Sequence, residues 1–336
     1  MAPLVLSVSP DAPEPEPIAR AAALIRGGRL VAFPTETVYG LGADALDPAA
    51  IALIFAAKGR PQTNPLIVHV PDADEARSLV TEWPDAAERL AERFWPGPLT
   101  LILPKRDVVP AAVTAGLAAV AVRVPAHPVA LALLTAAERP IAAPSANRYT
   151  LLSPTRAEHV ERGLGDRVDL ILDGGPTDVG IESTVLDLSG KHPVLLRPGM
   201  VPADAIERVI GPVERAAASL SDDAARLSPG LAARHYAPAA RVVLVDRARE
   251  GEPPGTLIRQ MPHPVALLVF GSSRSEPLAE RVIAMPPDPE TYARSLYETL
   301  HALDAEGFRT VLVERLPDDD EWAGVRDRLE RAAHVE

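Results

Sequence analysis

The sequence predicts an α/β protein in two parts, a larger unit built on a mixed sheet and a smaller open-sheet unit behind it. Three observations predict this. Short apolar runs of strand length intermix with segments of helical apolar spacing, and the connections are short. Between residues 211 and 240 that pattern gives way to a small-residue and charged run followed by Pro- and Gly-bearing motifs, after which a second α/β pattern begins. A chain of 336 residues, 47 % hydrophobic and 24 % charged, has the length and apolar content for two cored domains at roughly 100–200 residues each. The expected divisions are therefore 1–210, a linker over 211–240, and 241–336.

The elements follow in order. Residues 18–26 carry apolar side chains at helical spacing and stop at Gly27-Gly28. A short strand is expected over 30–33, ended by Pro34. Asp47-Pro48 is an N-cap followed by Pro at the first helical position, and its helix runs to about Lys58. Residues 66–70 read as a strand, 72–80 and 85–94 as helices, 99–103 and 120–124 as strands, 129–138 as a helix and 141–143 as a short strand. Thr155 followed by Glu158 fits a capping box that opens another helix. Strands are expected at 168–172, 184–188 and 194–196. In the second part, 241–245, 265–270 and 310–313 read as strands, and 292–306 and 322–332 as helices.

Charge and composition exclude several functions. The net charge of −12 gives no broad polyanion-binding surface. With no cysteine, disulfides, thiolate catalysis, thiolate zinc sites and iron–sulfur clusters are all excluded. The start of the chain has no basic segment ahead of the apolar residues 4–8. The longest uncharged run, 108–122, is broken by Pro110 and Gly116. A cytoplasmic protein is expected. No P-loop motif occurs, so a nucleotide site would be of another class.

Polar blocks punctuate the apolar elements, most of them at strand ends and one at a helix end. P-T-E-T-V-Y-G-L-G (34–42) offers two hydroxyls, a carboxylate and glycines that would let backbone approach a ligand; an ordinary polar turn reads the same way. K-G-R-P-Q-T-N-P (58–65) is a rigid turn with a lysine and an arginine, suited either to an anion or simply to a helix C-terminus. His69 and Arg123 interrupt apolar strands. A buried guanidinium needs a partner, which a ligand carboxylate or an internal acid would supply equally well, and the default reading of His69 is a hydrogen-bonded core histidine. P-S-A-N (144–147) with S-P-T (153–155), G-I-E-S-T (180–184) and L-R-P-G (196–199) complete the set. Ser153 and Thr155 serve equally as helix caps. Together the blocks describe one concave site rich in neutral donors, with few acids, the profile of phosphoryl or nucleotidyl transfer by positioning and charge neutralisation.

As a set, these motifs resemble the threonylcarbamoyl-AMP synthase family: P-T-E-T-V-Y-G-L-G, K-G-R-P-x-x-N-P-L-I-V-H-V, F-W-P-G-P-L-T, V-A-V-R-V-P-A-H-P, P-S-A-N, S-P-T, E-S-T-V and L-L-R-P-G, in family order over about residues 15–200. S-P-G and R-H-Y-A-P (228–238) resemble the linker of its two-domain form. The resemblance implies a YrdC-like domain with a twisted mixed sheet and helices, joined by that linker to a smaller open-sheet α/β domain. It implies condensation of L-threonine, bicarbonate or CO2 and ATP, with Mg²⁺, to threonylcarbamoyl-AMP and pyrophosphate, the product passing to a tRNA threonylcarbamoyl-transferase complex. It assigns threonine contacts to Thr37, His69, Arg123, the Ala143 backbone and Ser183. It assigns ATP contacts to Arg60, Asn64, Ser145, Ser153, Arg197 and Tyr236. Lys58 falls at a phosphate-side cation and, with Arg60, is the expected catalytic pair. Ala119 stands where the family usually offers Thr to the nucleotide. Tyr236, in the linker, is expected to fold back as a lid that keeps water from the anhydride product.

Two rivals are weighed. Carbamoyl-transferring hydrogenase-maturation proteins share the fold but carry cysteine-rich zinc modules, which a cysteine-free chain lacks. A non-catalytic RNA-binding module sits badly with the negative charge and with 5 Phe, 3 Trp and 5 Tyr as the whole aromatic complement.

Overall fold

The structure is a computed structural model that describes residues 3–216, 235–246, 255–271 and 279–334. The first part of the chain runs β1 (Leu4–Ser7), α1 (Pro15–Arg26), β2 (Val31–Phe33), β3 (Gly40–Asp44), α2 (Pro48–Lys58), β4 (Ile67–His69), α3 (Ala73–Ser78), α4 (Asp85–Phe94), β5 (Leu99–Pro104), α5 (Ala111–Thr114), β6 (Ala119–Arg123), α6 (Pro128–Ala137), β7 (Ile141–Ala142), α7 (Ala157–Leu164), β8 (Leu170–Asp173), β9 (Thr184–Asp187), β10 (Val194–Arg197), α8 (Ala203–Ile210) and β11 (Glu214–Arg215). The second runs β12 (Arg241–Val245), α9 (Gly255–Gln260), β13 (Val265–Phe270), β14 (Arg281–Met285), α10 (Pro289–Ala305), β15 (Thr310–Glu314) and α11 (Ala323–Ala333).

The helix ends follow the local chemistry. Asp47 accepts the Ala49 N–H at 2.9 Å, Pro48 opens α2, and Gly59 closes it in the left-handed region at φ 63°. Asp72 caps α3 and Asp288 caps α10 in the same way. The expected capping box at Thr155 does not form. Arg156, extended at φ −142°, ψ 157°, is the N-cap residue of α7, and no side chain caps it. Instead His159 Nδ1 reaches back to accept the Thr155 N–H at 3.3 Å.

The strands form a mixed eleven-stranded sheet, ordered β1-β8-β2-β3-β7-β4-β6-β5-β9-β10-β11, and a separate four-stranded sheet, β12-β15-β13-β14, whose pairs are all parallel. β11 lies past residue 210, where the first unit was expected to end, because Glu214 and Arg215 pair with Val194 and Leu195. Of the 211–240 linker, residues 217–234, including S-P-G, lie outside the described residues; at its far end Ala237 bridges Leu151.

On the large sheet, α2 packs with β3, and α1 and α6 cover the β1–β8–β2 end, with Ile25, Phe33 and Leu133 fully buried between them. The core of the second part is shared with the first. Leu296, Tyr297 and Leu300 of α10 and Val325 of α11 cluster with Val38, Leu152, Ile181 and Tyr236. At about 1.5–3 kcal/mol per buried large apolar side chain, this common core holds the second sheet's helices against the first part's loops.

Candidate active site

The motif blocks meet because the sheet brings their strand ends together. β4 and β6 are parallel neighbours, with His69 opposite Arg123. β7 pairs with both β3 and β4, which carries the P-S-A-N turn to P-T-E-T, and Gly40 bridges Ser145. Ser183 immediately precedes β9, and Arg197 ends β10.

The two glycines of P-T-E-T-V-Y-G-L-G open β3 rather than lying in a loop. A side chain on Gly42 would come within 2.7 Å of the Phe33 ring and 2.9 Å of Ile141. That glycine serves strand packing, whereas Gly40 does reach the cavity wall. Thr35 shapes the turn: its hydroxyl donates to the Val38 carbonyl at 2.7 Å and accepts the Thr37 and Val38 N–H groups at 3.2 Å.

These ends line a narrow cavity of about 40 Å³. Thr37, Arg60, His69, Arg123, Ala143, Ser145, Ser183, Arg197 and Tyr236 line it. Arg123 is buried; its NH1 donates to the Thr37 hydroxyl at 3.0 Å and its Nε to the Gly97 carbonyl at 3.1 Å. Its NH2 stands 2.6 Å from Glu36 Oε1, off the hydrogen-bond axis. The internal acid left open by the sequence is thus Glu36. The Ala143 N–H is taken by the Ile67 carbonyl at 3.0 Å, so a backbone contact from Ala143 to a ligand runs through its carbonyl oxygen. The Ser183 hydroxyl lies between Thr100 at 2.8 Å and Arg197, whose NH2 donates to it at 3.2 Å. Arg60 is held by the Asn64 carbonyl at 3.3 Å and the Pro65 carbonyl at 2.9 Å.

Three expected residues lie elsewhere. Lys58 does not line the cavity. Its buried Nζ donates to the Ser145 and Asn147 carbonyls, each at 2.5 Å, and so ties the P-S-A-N turn to the end of α2. Burial, then the nearby Arg60, push its ammonium well below the ordinary lysine range, while Glu182 opposes them. Ser153 is fully buried and donates to Glu182 Oε1 instead of capping a helix. Asn64 sits behind Arg60, with its amide 3.5 Å from the Tyr149 hydroxyl. Ala119 opens β6 opposite Pro104 and is also outside the cavity wall.

Electrostatically, the wall combines cations with neutral imidazoles. Burial, then Arg123, push His69 down to about 3, so it is uncharged near neutrality. Burial and the surrounding Arg60, Lys58 and Arg197 push His235 well below its usual value. His69 Nδ1, both ring nitrogens of His235 and the Tyr236 hydroxyl are buried without a hydrogen-bond partner. Orphaned buried polar atoms are rare, and at a cavity wall they are what a polar ligand satisfies. Tyr236 is 1 % exposed and held at φ 58°, a left-handed conformation that costs a non-glycine residue roughly 1–2 kcal/mol. Among the described residues, no group of three or more His, Cys, Asp or Glu side chains could hold a metal, and no helix is long and apolar enough to cross a membrane.

Comparison with known proteins supports the motif reading. The Sua5/YciO/YrdC family profile, described as telomere recombination, matches residues 23–199, and the threonylcarbamoyl-AMP synthase C-terminal domain profile matches 201–334. A threonylcarbamoyl-AMP synthase of Pyrococcus abyssi is 45 % identical, the alignment spanning 93 % of each chain. The chain belongs to the threonylcarbamoyl-AMP synthase family. The synthase of Bacillus subtilis is 42 % identical over 94 % of this chain and 92 % of its own. The crystal structure of P. abyssi Sua5 complexed with L-threonine superposes with a TM-score of 0.91 at 43 % identity, covering 98 % of this chain and 97 % of that one.

Within this synthase-family fold, sequence reasoning gave no individual role to Glu182 or His235, which also line the cavity. Glu182 and His235 sit inside motifs already singled out, E-S-T-V and R-H-Y-A-P, and their position beside Ser183 and Tyr236 was the available signal.

Proposed function

We propose that this chain is a threonylcarbamoyl-AMP synthase, a nucleotidyltransferase that condenses L-threonine, bicarbonate or CO2 and ATP. The observation that carries the reading is the single cavity where Arg60, Arg123 and Arg197 face neutral His69 and the hydroxyls of Thr37 and Ser183. Threonine sits toward β4, β6 and β7. Arg123 NH2, lying off the Glu36 axis, donates to its carboxylate, the Ala143 carbonyl accepts from its ammonium, and His69, Thr37 and Ser183 complete the contacts. ATP sits toward Arg60, Ser145 and Arg197 under Tyr236, with Asn64 and Ser153 supporting that wall. Lys58 acts from behind, by holding the Ser145–Asn147 turn.

The threonine nitrogen bonds to the CO2 carbon and loses a proton, giving a carbamate. A carbamate oxygen then attacks the ATP α-phosphorus as the bond to the β-phosphate bridging oxygen breaks, and pyrophosphate leaves. The guanidinium groups stabilise the charge that builds on the leaving group. Among the described residues no carboxylate cluster would hold Mg²⁺, so the ion would come with the nucleotide and would add to the neutralisation of the leaving pyrophosphate. The product feeds threonylcarbamoylation of tRNA in the cytoplasm. Tyr236, packed into the wall, keeps water from the mixed anhydride.

Pyrophosphate release with ATP and bicarbonate, scanned across threonine, serine and other amino acids, tests this. Threonine-dependent, bicarbonate-dependent release is expected. Tight tRNA binding at physiological salt without release would favour the RNA-binding alternative instead.

A further inference from the structure

Among the described residues none beyond Tyr236 lines the cavity, yet one side chain from their far end reaches its back wall. Arg328 of α11 is 1 % exposed. Its Nε donates to Glu182 Oε2 at 2.7 Å and its NH2 to the Glu182 carbonyl at 3.1 Å. Its NH1 donates to the Pro198 carbonyl, next to Arg197, at 3.0 Å and to Asp327 at 2.7 Å. Its guanidinium carbon lies 4.9 Å from the centre of the Tyr236 ring. One planar fork thus ties together three pieces of the nucleotide side of the wall.

Glu182 is the acid that makes the arrangement necessary. It lines a cavity read as taking a triphosphate, where an uncompensated carboxylate would repel the phosphates. Burial works to raise its carboxyl, but Arg328 and Arg197, with hydrogen bonds from Ser153 and Arg328, outweigh that and hold it below the usual carboxylate range. It stays ionised, with Tyr297 of α10 donating to Oε2 at 3.2 Å and Ser153 donating to Oε1. A hydroxyl has one proton, so Ser153 commits its own to Glu182 behind the cavity wall.

We infer that Arg328 is a positioning residue for ATP: from the second part of the chain it neutralises Glu182 and thereby fixes the direction of the Ser153 hydroxyl and the seat of Tyr236. Asp327 helps to hold it, and itself accepts from Arg331 at 2.9 Å. The inference rests on the ATP reading above.

A double-mutant cycle of R328M and E182Q, read as KM for ATP, KM for threonine and kcat in the pyrophosphate assay, tests it. R328M is expected to raise KM for ATP on the order of 10–100-fold, the range for coupled contacting groups, while KM for threonine moves less than about threefold. In the E182Q background the same change should move KM for ATP by less than about threefold, because no carboxylate is left to neutralise. Equal fold-changes in the two backgrounds, or parallel rises in both KM values, would overturn the inference. If R328M fails to fold, R328Q, which keeps a hydrogen-bond donor toward Glu182, takes its place in both backgrounds of the cycle with the same deciding outcomes. A wild-type protein that releases no pyrophosphate sinks the ATP reading; an active wild type with equal fold-changes sinks the role of Arg328 alone.

Discussion

The eleven-stranded and four-stranded sheets draw on the same apolar residue types, yet among the described residues only the first places side chains in the cavity. In the large sheet, strand ends carry polar groups inward: His69, Arg123, Ser183 and Arg197 all sit at or next to a strand terminus. In the small sheet, β13 is apolar along its length, and the polar groups that matter lie on its covering helices. There Tyr297 and His301 of α10 and Arg328 of α11 turn toward Glu182 and Ser153. The backbones come equally close. A side chain on Gly180 would stand 2.5 Å from the Ala293 carbonyl, and one on Gly324 2.8 Å from that of Gly199. Two motifs read as ligand loops, G-I-E-S-T and R-P-G, are thus also docking points for the second part. The difference teaches that one sheet builds the site and the other holds two of its loops in place.

The strongest way to break this division is Arg123→Met. It leaves Glu36 buried and uncompensated and removes the bond to Thr37. We expect a loss of about 3–5 kcal/mol in denaturant unfolding and near-abolished threonine-dependent turnover. A variant of normal stability and threonine KM would contradict the role given to the first sheet.

Lys58→Ala removes the tether of the Ser145–Asn147 turn. Turnover should fall on the order of 10²-fold, the cost of a site group displaced by about 1 Å. Unchanged turnover in pyrophosphate release would remove Lys58 from the mechanism altogether.

Gly324→Ala sharpens the comparison from the other sheet. Its methyl pushes against Gly199, so stability should drop by about 1–3 kcal/mol and KM for ATP should rise while KM for threonine holds. Gly163→Ala, a helical position with nothing within 4 Å, is the control and should stabilise by roughly 0.5–1 kcal/mol. Equal thermal shifts of the same sign in the two variants would deny the interface its special packing.

The smallest effect is titration. His69 and His159 are held to about 3, the latter stacked on His301 between the two parts at 3.8 Å, so the native state keeps them neutral while the unfolded chain protonates near 6.5. More protons bind the unfolded chain between those values, so stability is full above about pH 6.5 and falls as pH drops toward 3. A loss of about 1–2 kcal/mol per fully buried histidine is expected between pH 7 and 5. A urea midpoint that rises over that interval would contradict it.

Much of this was legible in the sequence because local chemistry decides it. Asp47-Pro48 opens α2 where expected, and the apolar runs became β5, β6 and β13 with ends shifted by a residue or so. Several elements escaped, among them α5, α8, α9 and β14, and three more show why. β1 is largely exposed, β11 has two residues, and β3 contains glycines whose role depends on Phe33 and Ile141 across the sheet. The same limit governs the site. Motif spacing could gather the cavity's residues, but it could not show that Lys58 faces two carbonyls, nor that Ser153 is held by Glu182. Glu182 had no readable role, because a carboxylate beside phosphates makes sense only once Arg328, distant in sequence, is seen against it.

The central claim is that a single cavity takes a triphosphate beside an amino acid. Calorimetric titration of the purified full chain with ATP in the presence of magnesium, and with L-threonine, tests it directly. Saturable uptake of both, each lost in Arg197→Met or Arg123→Met on its own side of the cavity, is the predicted result. A folded protein that takes up neither would contradict the account.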